Sequence, residues 1–198
     1  DYGKGEYGPK LINDFALDFI TRHRAHPFLL YYPMILTHDP FQPTPDSADW
    51  DPKIKSEQVQ RDVKHFADMT AYMDKMVGRL VAKLDELGLR ENTLILFTGD
   101  NGTGVQVTTR FKGADYKGGK GTRTARGNHT PLIANWPGRI PAGRVNADLV
   151  CSADFLPTLC EAAGANVPAE LGIDGQTFLP QLLGLPGNPS SAFVTAFL

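Results

Sequence analysis

Asp100 and Asn101 stand between glycines directly after the apolar run Thr93 to Thr98, so both side chains are presented with little steric hindrance. A carboxylate and an amide carbonyl are the hard oxygen donors that Ca2+ or Mg2+ takes, and other ligands must complete such a site. The same Asp-Asn-Gly sequence also suits a tight turn for backbone reasons alone, and both readings stand. Lys120 lies in Tyr116-Lys117-Gly118-Gly119-Lys120-Gly121-Thr122-Arg123, where glycines let an anion approach the backbone. A P-loop is excluded, because Lys120 is followed by Gly121 and position 114 is Ala114. The alternative is a solvated basic loop. His38 follows an apolar run and opens the proline-rich Thr37 to Pro45 loop, where an imidazole can donate to a bound anion or protonate a leaving oxygen. A structural histidine bonded to a carbonyl is the other reading, and His129 in Gly127-Asn128-His129-Thr130-Pro131 divides the same way. His23, His26 and His65 fall on or beside helical segments and read as structural. No Gly-x-Ser-x-Gly elbow occurs, and neither Cys151 nor Cys160 has a basic neighbourhood that would activate a thiolate.

These residues need elements to carry them. Ile12, Phe15, Ala16, Phe19 and Ile20 recur at helical spacing, predicting a helix over 11–24 that His26-Pro27 stops. The unbroken run Phe28 to Leu36 reads as a strand buried on both faces, although Pro33 cannot donate to a central ladder. Val59, Val63, Phe66, Met73, Val77, Leu80, Leu84 and Leu87 predict a long amphipathic helix over 57–87, ended by Gly88. Thr93 to Thr98 is a further buried strand, and helix between strands implies a βαβ crossover and a parallel sheet. A glycine- and lysine-rich loop to about His129, a short strand over 131–137, a helix over 155–163 capped by Ser152 or Asp154, and a short helix near 179–183 complete the reading before an apolar run at 192–194. His38, Asp100 and Asn101 thus sit at the C-terminal ends of strands, where open α/β sheets place their sites.

The 198 residues carry 20 basic and 22 acidic side chains, a net charge of −2 that argues against a general nucleic-acid-binding surface. Any anion must be held locally. Two cysteines are too few for a disulfide scaffold and lack zinc-site spacing. No stretch reaches the length of a membrane span, and the opening Asp-Tyr-Gly-Lys has neither an initiator Met nor a signal peptide, as expected of a chain that begins mid-protein.

Taken in order, Leu36-Thr37-His38-Asp39-Pro40-Phe41, Met73-Asp74-Lys75-Met76-Val77-Gly78, Asn92 through Gly102, Gly119-Lys120-Gly121-Thr122, Pro131 through Gly138, Asp154-Phe155-Leu156-Pro157-Thr158-Leu159 and Asp174-Gly175 resemble the sulfatase family of the alkaline-phosphatase-like superfamily. The resemblance covers nearly the whole chain after about residue 27. It implies an α/β fold with a mainly parallel sheet flanked by helices on both faces, here incomplete, and a single catalytic domain of which residues 1–198 are the downstream portion. It implies that Asp100 and Asn101 ligate a divalent cation, Ca2+ with Mg2+ as the alternative, and that Lys120 and His38 contact the sulfate or leaving group of a sulfated small molecule or glycan. The family nucleophile is a formylglycine made from the cysteine of a Cys-x-Pro-Ser-Arg motif, which this chain lacks and which family order places upstream. The C-terminal subdomain is expected to be missing as well. His129 stands where many sulfatases have an arginine. An extracytoplasmic location is implied, with no nucleic-acid or membrane partner. A phosphate or phosphonate monoester hydrolase of the same superfamily, or a non-catalytic binding homologue, are the competing functions. An incomplete sheet leaves apolar edges open, so self-association is expected.

Overall fold

The computed structural model describes residues 5–54, 58–59 and 61–187, and the apolar run at 192–194 lies outside them. The chain divides into two compact units, Asp1–Arg90 with Thr103–Lys120, and Glu91–Gly102 with Gly121–Leu198.

The first unit is built on helices α1 (Gly8–His23) and α2 (His65–Glu86). Proline in its first turn, basic Arg22 and His23 in its last, and i,i+4 pairs Lys10–Asp14 and Asp18–Arg22 all favour α1 locally. Its buried stripe is Asn13, Ala16 and Ile20, whereas Ile12 and Phe15 of the expected apolar face are exposed. Asn13 explains the difference. Its amide donates to the Met76 carbonyl at 3.1 Å and accepts from Arg79 at 2.8 Å, so a polar contact sets which face of α1 meets α2. Helix α2 starts eight residues later than its periodicity predicted, at residue 65 instead of 57. Residues 61–64 are held in a turn by Asp62, whose backbone N–H donates to the Phe41 carbonyl and whose carboxylate accepts from the Lys64 N–H. Its buried face runs through His65, Met69, Tyr72, Met76 and Leu84; Leu84 lies on the expected face, whereas in the N-terminal half the face is turned and Phe66 and Met73 flank the core half-buried. The helix ends as expected at Gly88, with φ +67°: Gly88 N–H bonds to Asp85 O and Leu89 N–H to Leu84 O, closing a Schellman turn.

The core of this unit joins Leu36, Phe41, Met69, Tyr72, Met76 and Val107. Residues 28–35 form neither helix nor strand, Leu36 enters a turn, and none of them belongs to a ladder among the described residues. Their burial alternates, with Phe28, Leu30, Tyr32 and Met34 half-covered and Leu29, Tyr31 and Ile35 exposed. The expected two-faced burial is therefore corrected to one covered face, because without paired neighbours a strand's second face meets solvent. In the stretch expected to be loop, β2 (Thr108–Phe111) and β3 (Ala114–Lys117) pair antiparallel across Lys112-Gly113, both with positive φ.

In the second unit β1 (Ile95–Thr98) pairs antiparallel with β4 (Leu132–Asn135), Ile95 opposite Asn135 and Thr98 opposite Leu132. Both ladders among the described residues are thus antiparallel where the crossover argument expected parallel pairing; the helix between the extended run and β1 is present, but the two do not pair. Helices α3 (Ala125–Asn128), α4 (Phe155–Ala162) and α5 (Leu179–Leu182) follow. Buried Asp154 ties this unit together: its carboxylate accepts from the backbone N–H groups of Cys151 and Gln176, both at 2.8 Å. Gly175 allows that approach, since a Cβ there would lie 1.9 Å from the Ala153 carbonyl. Among the described residues no helix is long and apolar enough to cross a membrane.

The shifted face of α2 has a measurable consequence. Met76→Ala, at a site 1% exposed, is expected to lower stability by about 2–5 kcal/mol. Phe15→Ala, at 64% exposure, should stay within about 0.5 kcal/mol of the parent in the same urea titration. Equal losses would reject the assignment of faces.

Candidate functional site

Buried Leu36 and Phe41 bracket residues 37–40 and anchor both ends of the loop that carries His38. The His38 backbone N–H closes a turn onto the Ile35 carbonyl, and the Leu36–Thr37 and Asp39–Pro40 peptides are cis. Lys120 reaches the same place from the other end of this unit. Val107 is buried in the core, Gly118 N–H donates to its carbonyl at 2.9 Å, and Lys120 N–H donates to the Thr103 carbonyl at 2.9 Å. Position 118 admits only glycine, because a Cβ would lie 2.2 Å from the Gly104 carbonyl oxygen.

These anchors bring Lys120 Nζ within 2.9 Å of His38 Nε2, while His38 Nδ1 lies 2.6 Å from the Asp39 carbonyl and 3.1 Å from its carboxylate. An ammonium has donors only, so it donates to Nε2. The imidazole is then neutral, with its proton on Nδ1 donated to Asp39. The pair is more than half exposed at His38, and Lys120 carries ammonium protons that can turn to an oxyanion.

Asp100 and Asn101 follow β1 in the second unit. The Asp100 carboxylate accepts from the Asn101 backbone N–H at 2.9 Å, which is the local turn the sequence allowed. Gly102 N–H donates to Gly127 O at 2.8 Å, and a Cβ on Gly102 would lie 1.9 Å from Arg126 O, so close approach of α3 fixes the glycine of Asp-Asn-Gly. The turn leaves the second Asp100 oxygen and the Asn101 side-chain carbonyl with no hydrogen bond or ion pair among the described residues. They fit a hard divalent cation by donor type. The structure therefore joins His38 with Lys120 in one unit and Asp100 with Asn101 in the other. His129 caps α3 through its backbone N–H, and its side chain is exposed.

One cluster escaped sequence reading. Buried His65 lies with Nδ1 at 2.9 Å from Asp68 and Nε2 at 3.4 Å from Asp49, and Asp68 also accepts from Ser47 at 2.8 Å. Lys64 donates to the same Asp49 oxygen at 2.9 Å. The donor atoms could surround an ion, but each near oxygen already accepts from a neighbouring cation or hydroxyl. The group acts instead as a latch that ties residues 44–49 to the first turn of α2. The hydrogen bond from Lys64 holds the Asp49 carboxyl below its ordinary value, and those from His65 and then Ser47 do the same for Asp68. The available signal was Thr44-Pro45-Asp46-Ser47, a turn in which the Ser47 hydroxyl accepts from the Thr44 N–H.

The Sulfatase family model matches residues 2–165. Mouse steryl-sulfatase is 34% identical over 90% of this chain and 28% of its own length. The crystal structure of Ps i-CgsB in complex with k-i-k-neocarrahexaose superposes with a TM-score of 0.74 at 30% identity, over 90% of this chain and 39% of that one. The PsFucS1 sulfatase from Pseudoalteromonas gives a TM-score of 0.68 at 30% identity, over 88% and 34%. The fold is the α/β, alkaline-phosphatase-like fold of these sulfatases, present in part. The chain spans about a third of the length of such relatives.

Two measurements test this geometry. Nitrogen-15 NMR should find His38 as the Nδ1–H tautomer at neutral pH, and Lys120→Met should release Nε2 to water; a predominant Nε2–H tautomer would reject the Lys120 contact. Because the Asp49 and Asp68 pKa values are lowered on folding, the latch contributes fully above about pH 4 and is lost as pH falls through the folded values. Amide exchange at residues 44–49 should therefore gain over its intrinsic rate in acid in the parent, and Asp68→Asn should show that gain already at neutral pH.

Proposed function

The chain belongs to the sulfatase family, and from that membership we propose that it supplies the metal- and sulfate-binding part of a sulfuric ester hydrolase. The observation that carries this reading is the 2.9 Å contact between Lys120 Nζ and His38 Nε2, two groups 82 residues apart. A structural histidine needs no ammonium beside it, whereas an oxyanion receptor needs both groups.

Family membership implies a metal site, and Asp100 and Asn101 are the residues proposed to hold the ion; their oxygen donors suit Ca2+ or Mg2+, and the family resemblance favours Ca2+. A divalent cation bound there would supply Lewis-acid positive charge. Lys120 turns from Nε2 to a sulfuryl oxygen and places its charge where negative charge accumulates. His38 Nε2, freed of the lysine and facing an anion, takes up a proton and delivers it to the leaving oxygen, while Nδ1–H stays on Asp39 and keeps the ring oriented. The nucleophile in this reading is the family's formylglycine, carried by a Cys-x-Pro-Ser-Arg segment not found among these 198 residues. The chain is then the downstream portion of one catalytic domain, and its substrate is a sulfated small molecule or glycan.

The 198-residue chain alone is expected to release no sulfate from an aryl sulfate. Joined in one polypeptide to the family's Cys-x-Pro-Ser-Arg segment, it should hydrolyse the ester. There, Lys120→Met and His38→Ala should each lower kcat/KM by about a hundred- to a thousand-fold. Asp100→Ala should reduce bound divalent metal measured by elemental analysis. Unchanged kcat/KM in both the Lys120 and His38 variants would reject the roles given to them.

A further inference from the structure

The chain holds eight asparagines, and only Asn101 precedes a glycine. That dipeptide is chemically fragile: a backbone nitrogen can attack the preceding side-chain amide, and glycine neither shields its nitrogen nor restricts the backbone rotation the attack needs. Nothing larger fits at position 102, because a Cβ there would lie 1.9 Å from the Arg126 carbonyl oxygen and 3.0 Å from the Gly127 Cα. The fold itself therefore imposes the fragile pair.

The same close approach also restrains it. Gly102 N–H, the group that must become the nucleophile, donates to the Gly127 carbonyl at 2.8 Å. A nitrogen whose proton is held by an acceptor at that distance is not free to close on Asn101 Cγ. The Asp100 carboxylate accepts from the Asn101 N–H at 2.9 Å and fixes the turn on the other side. The remaining features favour reaction. Asn101 and Gly102 are half-exposed, so water reaches both. Gly127 belongs to α3, which is four residues long, has no side-chain cap at its N-terminus, and follows a stretch, 121–126, that is exposed throughout. So short a helix opens readily.

We propose that Asn101 is a spontaneous deamidation site whose rate is set by α3: the Gly127 carbonyl protects it while bonded to Gly102 N–H, and each opening of that contact exposes it. In the open form the Gly102 nitrogen bonds to Asn101 Cγ, its proton passes through solvent to the departing amide, and ammonia leaves behind a five-membered succinimide. One water molecule then opens the ring at either carbonyl, giving aspartate or isoaspartate at position 101. Either product adds a negative charge beside Asp100, and isoaspartate also lengthens the backbone by a methylene. The reaction is independent of whether Asp100 and Asn101 hold a cation; where they do, it alters one of the proposed ligands.

Peptide mapping by mass spectrometry tests this on the 198-residue chain incubated at neutral pH, folded and in urea. Deamidation at Asn101 should run about tenfold faster in urea, the order that one net hydrogen bond supplies. Amide exchange at Gly102 in the folded chain is the second readout, and its protection should match the slowing of deamidation. Ala125→Gly, an exposed substitution that weakens α3, should speed folded-state deamidation about two- to fivefold and lower Gly102 protection by the same factor, with circular dichroism unchanged. Equal rates folded and in urea, no product at Asn101 in urea, or a freely exchanging Gly102 amide in the folded parent each overturns the proposal. Unchanged deamidation and exchange in the folded Ala125→Gly chain overturns the part given to α3. Should that variant fail to fold, the two measurements on the parent decide the matter.

Discussion

An ammonium 2.9 Å from an imidazole nitrogen can be held only if the lysine donates and the imidazole stays neutral, and much of the first unit serves to maintain that contact. Neither side chain is fixed by its own neighbours in sequence. His38 is placed because Leu36 and Phe41, on either side of it, are drawn into the core. Lys120 is placed because Val107 enters the same core and the Gly118 backbone packs against the Gly104 carbonyl at a distance no side chain allows. Hydrophobic burial thus positions a polar pair that neither segment would hold by itself.

Helix α2 is the element on which this depends. One face gives Met69, Tyr72 and Met76 to the core; its N-terminal turn gives His65 and Asp68 to the latch; and Lys75 holds Asp46 at 2.7 Å. The loop between His38 and α2 is therefore pinned at its start by Phe41 and along its length by Thr44, Asp46, Ser47 and Asp49. Exposed ion pairs such as Lys75–Asp46 contribute little stability each. Their value here is geometric, since a proline-stiffened loop needs few ties to adopt one course.

The second unit solves its problem with backbone contacts. Asp-Asn-Gly could be read from sequence as a turn or as a pair of cation ligands, and the two are compatible: one Asp100 oxygen makes the turn, and the remaining oxygens keep the donor type a hard cation takes. Gly102 and Gly175 are each fixed by a carbonyl that would lie 1.9 Å from a Cβ. Such positions look like ordinary loop glycines in one dimension, because the group that excludes a side chain comes from 24 residues away at Gly102 and 22 at Gly175.

Residue type and spacing alone determined the long helices α1 and α2 and their stops, Gly88 above all, marked His38, Lys120, Asp100 and Asn101 as candidates, and pointed through the ordered motifs to the family. These are local properties: periodicity, capping and steric freedom act over a few residues. Tertiary structure alone decided which face of each helix is buried, that residues 28–36 keep one face open, that both ladders run antiparallel, and that a stretch rich in glycine and lysine holds a ribbon. The face of α1 turned on one asparagine finding the Met76 carbonyl, the face of α2 on His65 finding two carboxylates, and the receptor on Lys120 finding His38. Each is a long-range pairing of polar atoms, set by packing that periodicity cannot encode.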